Sequence, residues 1–179
     1  DYRLNITGEA IPDTNSAQSE NMVILDRLDG FSPSTQIFTA FSSIPNISEM
    51  ADQFNISPSI EINHSSILMN LDTGEFIHHW IELDARAKDG ENTLIFVRTL
   101  QGLDHDAAYA VAFRNLVDIN GEEIQPEDGF LALRDNQTTD STQIESQRED
   151  YEYLFEKLEQ SGVPRSNLQS AWWFHTAST

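Results

Sequence analysis

Strand-length apolar segments recur about every ten residues along this chain, and each is closed by a turn of Asp, Asn, Gly, Ser or Pro. That rhythm limits the fold more than any other feature. Ala107-Ala-Tyr-Ala-Val-Ala-Phe-Arg114 shows it most clearly, alternating with a period of two before it breaks at Asp118-Ile-Asn-Gly121. The same reading applies to Gln36-Ile-Phe-Thr-Ala-Phe41, Ser59-Ile-Glu-Ile-Asn63, Ser66-Ile-Leu-Met-Asn-Leu71, Glu75-Phe-Ile-His-His-Trp-Ile-Glu-Leu83 and Thr93-Leu-Ile-Phe-Val-Arg98. Gly129-Phe-Leu-Ala-Leu-Arg134 is expected to close the series as a last strand. Asp72-Thr-Gly74 between two of these runs is a hairpin signal. Many short strands at this spacing predict an all-β sandwich.

After residue 135 the period changes. Ser146-Gln-Arg-Glu149 fits a capping box ahead of Tyr151, Leu154, Phe155 and Leu158, which share one helical face, and Gly162 with Pro164 stops the run. One amphipathic helix over about 147–161 follows, and then a bulky terminal strand, Leu168 to Thr179. The organisation expected is therefore an N-terminal arm or linker at 1–21, a sandwich at 22–135, and a loop, helix and terminal strand at 136–179. Its core is expected to hold Ile37, Phe41, Leu68, Trp80, Leu94, Phe96, Tyr109, Val111, Phe113 and Leu133. Trp172, Trp173 and Phe174 at the terminus need a sheet to join or a partner to cover them, which makes them the interaction candidates.

Thirty acidic residues face ten basic ones, giving a net charge of −20. A nucleic-acid backbone or an anionic membrane surface repels such a chain. No run approaches the roughly 18 apolar residues of a membrane span, so membrane insertion is not expected. The absence of cysteine excludes disulfides and thiolate metal sites. Five Asn-X-Ser/Thr sequons, at Asn5, Asn46, Asn55, Asn63 and Asn136, would matter in a glycosylating host, and are more simply part of a polar surface rich in Asn and Ser.

Motifs for chemistry are sparse. There is no Gly-X-Ser-X-Gly nucleophile elbow and no glycine-rich phosphate loop. His78 and His79 are adjacent on a strand, so they point to opposite faces and cannot ligate one metal together. Asp104-His105-Asp106 could orient an imidazole but has no nucleophile beside it. Asp118, Asn120 and Glu122 set oxygen ligands around a glycine turn and are the calcium candidates, although the distant bidentate glutamate of an EF-hand loop is missing. Asp72-Thr-Gly-Glu75 and Asp89-Gly-Glu-Asn92 repeat the pattern, and a hairpin corner explains all three more simply. No other cofactor is expected.

Ser32-Pro33-Ser-Thr-Gln-Ile-Phe-Thr-Ala-Phe41, Asp72-Thr-Gly-Glu75, Thr93-Leu-Ile-Phe-Val97, Leu103, and Tyr109-Ala-Val111 with Asp118-Ile-Asn-Gly121 together resemble a bacterial Ig-like domain over about residues 22–134. Phe130 to Asp135, Tyr151 to Phe155, Gly162 to Leu168 and Ala171 to Ser178 look like the connection that leads from such a domain into an α/β-hydrolase or lipase-like region of large secreted bacterial proteins. Trp173 and His175 depart from the acidic and hydroxyl residues of those relatives. The resemblance implies a non-catalytic accessory, spacer or assembly module, outside the cell or on its surface, with its signal peptide removed. Its partner would be an adjacent domain of the same polypeptide or like subunits. Two alternatives stand beside it: the N-terminal part of a secreted lipase or esterase whose catalytic region follows Thr179, and a self-assembling surface or filament subunit using strand donation.

Overall fold

The computed structural model describes residues 28–86 and 92–179. The arm at 1–21, the run Met22 to Leu25, the Asn5 sequon and most of the turn from Lys88 to Asn92 lie outside the described residues. Among the described residues six strands form: β1 (Ile37–Phe41), β2 (Ser66–Asn70), β3 (His79–Leu83), β4 (Thr93–Thr99), β5 (Ala108–Arg114) and β6 (Leu168–His175). They make two three-stranded antiparallel sheets, ordered β1-β4-β3 and β2-β5-β6. Three α-helices follow β5: α1 (Asp128–Arg134), α2 (Thr142–Ser146) and α3 (Arg148–Gln160).

The alternation of β5 organises the packing. Tyr109, Val111 and Phe113 point toward the other sheet and join Ile37, Phe41, Leu68, Ile81, Ile95 and Val97 in one core. Ala108, Ala110 and Ala112 point the opposite way, where Leu154, Phe155 and Leu158 of α3 pack with Ile67, Met69 and Leu168 in a second core. Bulk on one face fills the space between sheets, whereas alanine on the other lets a helix approach closely. The second sheet is thus buried on both faces, and each large side chain so buried stabilises the fold by about 1.5–3 kcal/mol.

Several expectations need correction. Gly129 to Arg134 lies within helix α1. Phe130 meets Tyr151 and Phe155 of α3, and Leu133 is buried one turn further on, a spacing that only a helix satisfies. The capping box does not form: Ser146 ends α2, its hydroxyl donates to the Gln143 carbonyl, and Gln147 precedes α3 with no side-chain cap. Trp80, Leu94 and Phe96 stand half-buried on the outer face of the first sheet, because β3 and β4 turn Ile81, Ile95 and Val97 inward. Asp72 to Gly74 does form a turn, with Gly74 at φ +74° and the Asn70 side chain accepting from the Asp72 and Thr73 amides. The hairpin behind it is brief, because after the Met69–Phe76 bridge the chain crosses to the other sheet and becomes β3.

Candidate functional site

β1 and β6 are outer strands of their respective sheets, and an open apolar groove of about 260 Å³ runs between them. It is lined by Phe31, Ile37 and Phe38 together with Trp172, Trp173 and Phe174, and Thr35 and Gln36 supply polar atoms. Phe38 is 52% exposed and Phe31 41%. Phe31 is fixed by backbone bonds to either side of Thr176, donating to His175 and accepting from Ala177, both at 2.8 Å. The approach is so close that a Cβ on Gly30 would stand 2.5 Å from the Thr176 carbonyl carbon, so only glycine fits there.

The three aromatic residues expected to mediate interaction are brought together, but with separate duties. Trp172 stacks on Phe113 and Phe174 on Tyr109, Phe174 buried in the core between the sheets and Trp172 partly buried against it. Trp173 points to the opposite face and meets Tyr153 of α3 edge-on. Phe31 and Phe38 complete the groove and were not anticipated. The signal for Phe38 was present in Gln36 to Phe41, since placing Ile37 and Phe41 inward leaves Phe38 outward.

On the outer face of the first sheet, Glu82 accepts from the Trp80 indole at 2.9 Å and from Arg98 at 3.0 Å, while Arg98 lies 4.8 Å over the Phe96 ring. The Trp80 N–H first, and Arg98 second, hold the Glu82 carboxyl below its ordinary value. Phe38 and Phe96 meet in register across β1 and β4.

A buried polar cluster was also missed. His79 Nδ1 lies 2.8 Å from the Ile77 carbonyl, which can only accept, so this nitrogen carries the proton and Nε2 accepts from the Ser66 hydroxyl at 2.8 Å. By the same argument His64 Nδ1 donates to the Ser66 carbonyl at 2.9 Å, and Nε2 accepts from the Ala51 amide at 2.9 Å. Arg114, only 5% exposed, donates to the carbonyls of Ile62 and His64. Burial pulls its guanidinium below the usual value and brings His79 down to about 4. Ser66 and His79 have the geometry of an activated hydroxyl, but both are 0% exposed, so the pair has no path to a substrate. The opposite faces of His78 and His79 follow from strand alternation, whereas burial of the second depends on residues far along the chain.

The Asp118 turn is closed by its own carboxylate. Asp118 Oδ1 accepts from the Asn120 and Glu122 amides at 2.8 and 3.0 Å, Oδ2 accepts from the Asn120 side chain, and Gly121 takes φ +86°. These amide donors, that of Glu122 foremost, lower the Asp118 carboxyl. Among the described residues no group of three His, Asp or Glu side chains converges as metal ligands. His105 Nδ1 lies 3.1 Å from the Ala177 carbonyl, to which it donates, and the Asp104 amide donates to the Tyr109 hydroxyl. The sequon residues Asn46, Asn55, Asn63 and Asn136 are all exposed. Among the described residues no helix is long and apolar enough to cross a membrane. Comparison with known proteins finds no matching family model, no matching curated protein and no matching solved structure.

Proposed function

We propose that this chain is a non-catalytic Ig-like module of an exported bacterial protein, and that it holds an adjoining part of the same polypeptide through the groove between β1 and β6. Two features support the Ig-like reading. The sheet orders β1-β4-β3 and β2-β5-β6 correspond to strands B-E-D and C-F-G of an immunoglobulin domain, with the helices inserted between F and G. Tyr109, near the start of β5, accepts from the backbone of Asp104 five residues upstream at 2.9 Å, which is the arrangement of a tyrosine corner.

The observation that carries the docking role is the position of the groove. Its walls come from residues just after Leu28 and just before Thr179, and these two stretches are joined by the Ser178 hydroxyl donating to Asp29 at 2.6 Å. Exposed Phe31 and Phe38 thus line a groove whose two sides are held together by the pairing of residues 29–31 with 175–178. An apolar segment covering them would remove a hydrophobic patch from water. The test is a photoreactive Phe38→p-benzoylphenylalanine substitution in the polypeptide as its gene encodes it, with exposed Gln137 as the control position. An internal cross-link from position 38 to sequence outside the groove is expected. A product containing a second copy, or no cross-link above the control, overturns the assignment.

A further inference from the structure

We infer that the His64–Ser66–His79 cluster is an acid-sensitive latch, which at neutral pH fastens the long excursion between β1 and β2 over the outer edge of β3. β3 is the outer strand of its sheet, and two of its outward amides are taken up by the excursion: His79 N–H donates to the Ser59 hydroxyl at 3.1 Å and Ile81 N–H to the Ala51 carbonyl at 3.1 Å. The excursion is held in turn by His64 Nε2, which accepts from Ala51, and by Arg114, which grips the carbonyls of Ile62 and His64. Ser66 joins the two imidazoles, lying 2.8 Å from His79 Nε2 and 3.1 Å from His64 Nδ1, and the rings meet edge to face at 5.9 Å. Covered in this way, the edge strand is closed to another chain at the His79 and Ile81 amides.

A proton on His79 Nε2 removes the acceptor of the Ser66 hydroxyl and puts a charge into a site with 0% exposure. Among the described residues, the charged groups that act most on His79 include no carboxylate. The excursion presents His64, β3 itself presents His78, and β5 presents Arg114 behind His64, while Ser66 of β2 and Ser59 of the excursion contribute hydroxyls, and Thr99 of β4 is the register partner of His79. Closed, the latch holds His79 at about 4 against an ordinary 6.5, with burial the main cause and the other imidazoles next among the opposing charges. Opening restores the ordinary value. The opening equilibrium therefore rises as pH falls from about 6.5 to about 4, roughly tenfold per unit and about 300-fold in all, and flattens below.

Hydrogen exchange read by mass spectrometry on the intact chain, corrected for the intrinsic pH dependence of exchange, tests this. Peptides carrying the amides of Ala51, His79 and Ile81 are expected to lose protection with that slope between pH 6.5 and 4, ahead of Val111 in β5. His79→Gln, whose side-chain oxygen can accept from Ser66 without titrating, should give a flat profile. A flat profile in the unaltered chain, an equal slope in His79→Gln, or loss of protection in step with Val111 overturns the latch. Should His79→Gln fail to fold, the NMR titration of the His79 ring decides: a midpoint near 4 supports the closed latch, and one near 6.5 overturns it.

Discussion

At the scale of the residue, Tyr109 shows how one side chain serves both packing and direction. Its ring is 1% exposed and stacks on Phe174 with centroids 5.9 Å apart, while its hydroxyl reaches the backbone amide of Asp104. Tyr109→Phe keeps the stack and removes only the acceptor, leaving the Asp104 amide to find water in a tight turn where Asp106 already takes φ +52°. The expected loss is about 1–2 kcal/mol, read as a lower urea midpoint at unchanged slope. A loss below about 0.3 kcal/mol would mean that the hydroxyl does not hold the corner. The ring was legible in the sequence because it obeys the two-residue alternation of β5. The hydroxyl's partner was not, since nothing in Asp104 to Tyr109 specifies how that turn folds back.

At the scale of the element, legibility depended on whether a segment has one face or two. β5 and α3 were readable because alanine against aromatic, and leucine against glutamate, mark their sides. β4 was readable as a strand but not in orientation: Thr93-Leu-Ile-Phe-Val97 is apolar on nearly every position, so its parity is set by β1 and β3 and not by its own residues. α1 was misread because six residues of mixed apolar character suit a strand or two turns of helix equally, and only Tyr151 and Phe155 on α3 decide between them. The groove was half legible, through Trp172 to Phe174, and half hidden, because Phe31 joins it by a bridge to Thr176 nearly 150 positions away in sequence. The division of β5 carries its own prediction. Ala110 is 0% exposed and faces the second core, so Ala110→Leu pushes α3 off the sheet, with an expected cost of about 1–3 kcal/mol. Thermal unfolding followed by near-ultraviolet dichroism measures it, and an unchanged midpoint would show that the helix is not seated on the alanine face.

At the scale of the whole molecule, the dominant quantity is the charge of −20. Arg86, Arg98, Arg134, Arg148 and Arg165 each pair with a carboxylate, at 3.3, 3.0, 2.7, 2.7 and 2.7 Å respectively. The best supported is Arg148 on Glu145, whose carboxyl is brought to about 2 by Arg148 first and the Thr139 amide second. Yet thirty acidic residues against ten basic ones leave a large excess of negative charge. Added salt acts on both populations in opposite directions. It weakens the pairs, which at the surface contribute about 0–1 kcal/mol each, and it screens repulsion among the excess anions, which is summed over the entire surface. The pairs are short-range contacts that screening touches little, whereas the repulsion acts over distances that fall from a Debye length of about 30 Å at 0.01 M to about 3 Å at 1 M. Repulsion is therefore the larger loss to screening, and salt stabilises. The thermal midpoint at pH 7 is expected to rise by several degrees between 0.01 and 0.5 M sodium chloride, a gain of about 1 kcal/mol or more for a domain of this size. A midpoint that fell with salt would place the Arg–carboxylate pairs above the net charge in the stability of this chain.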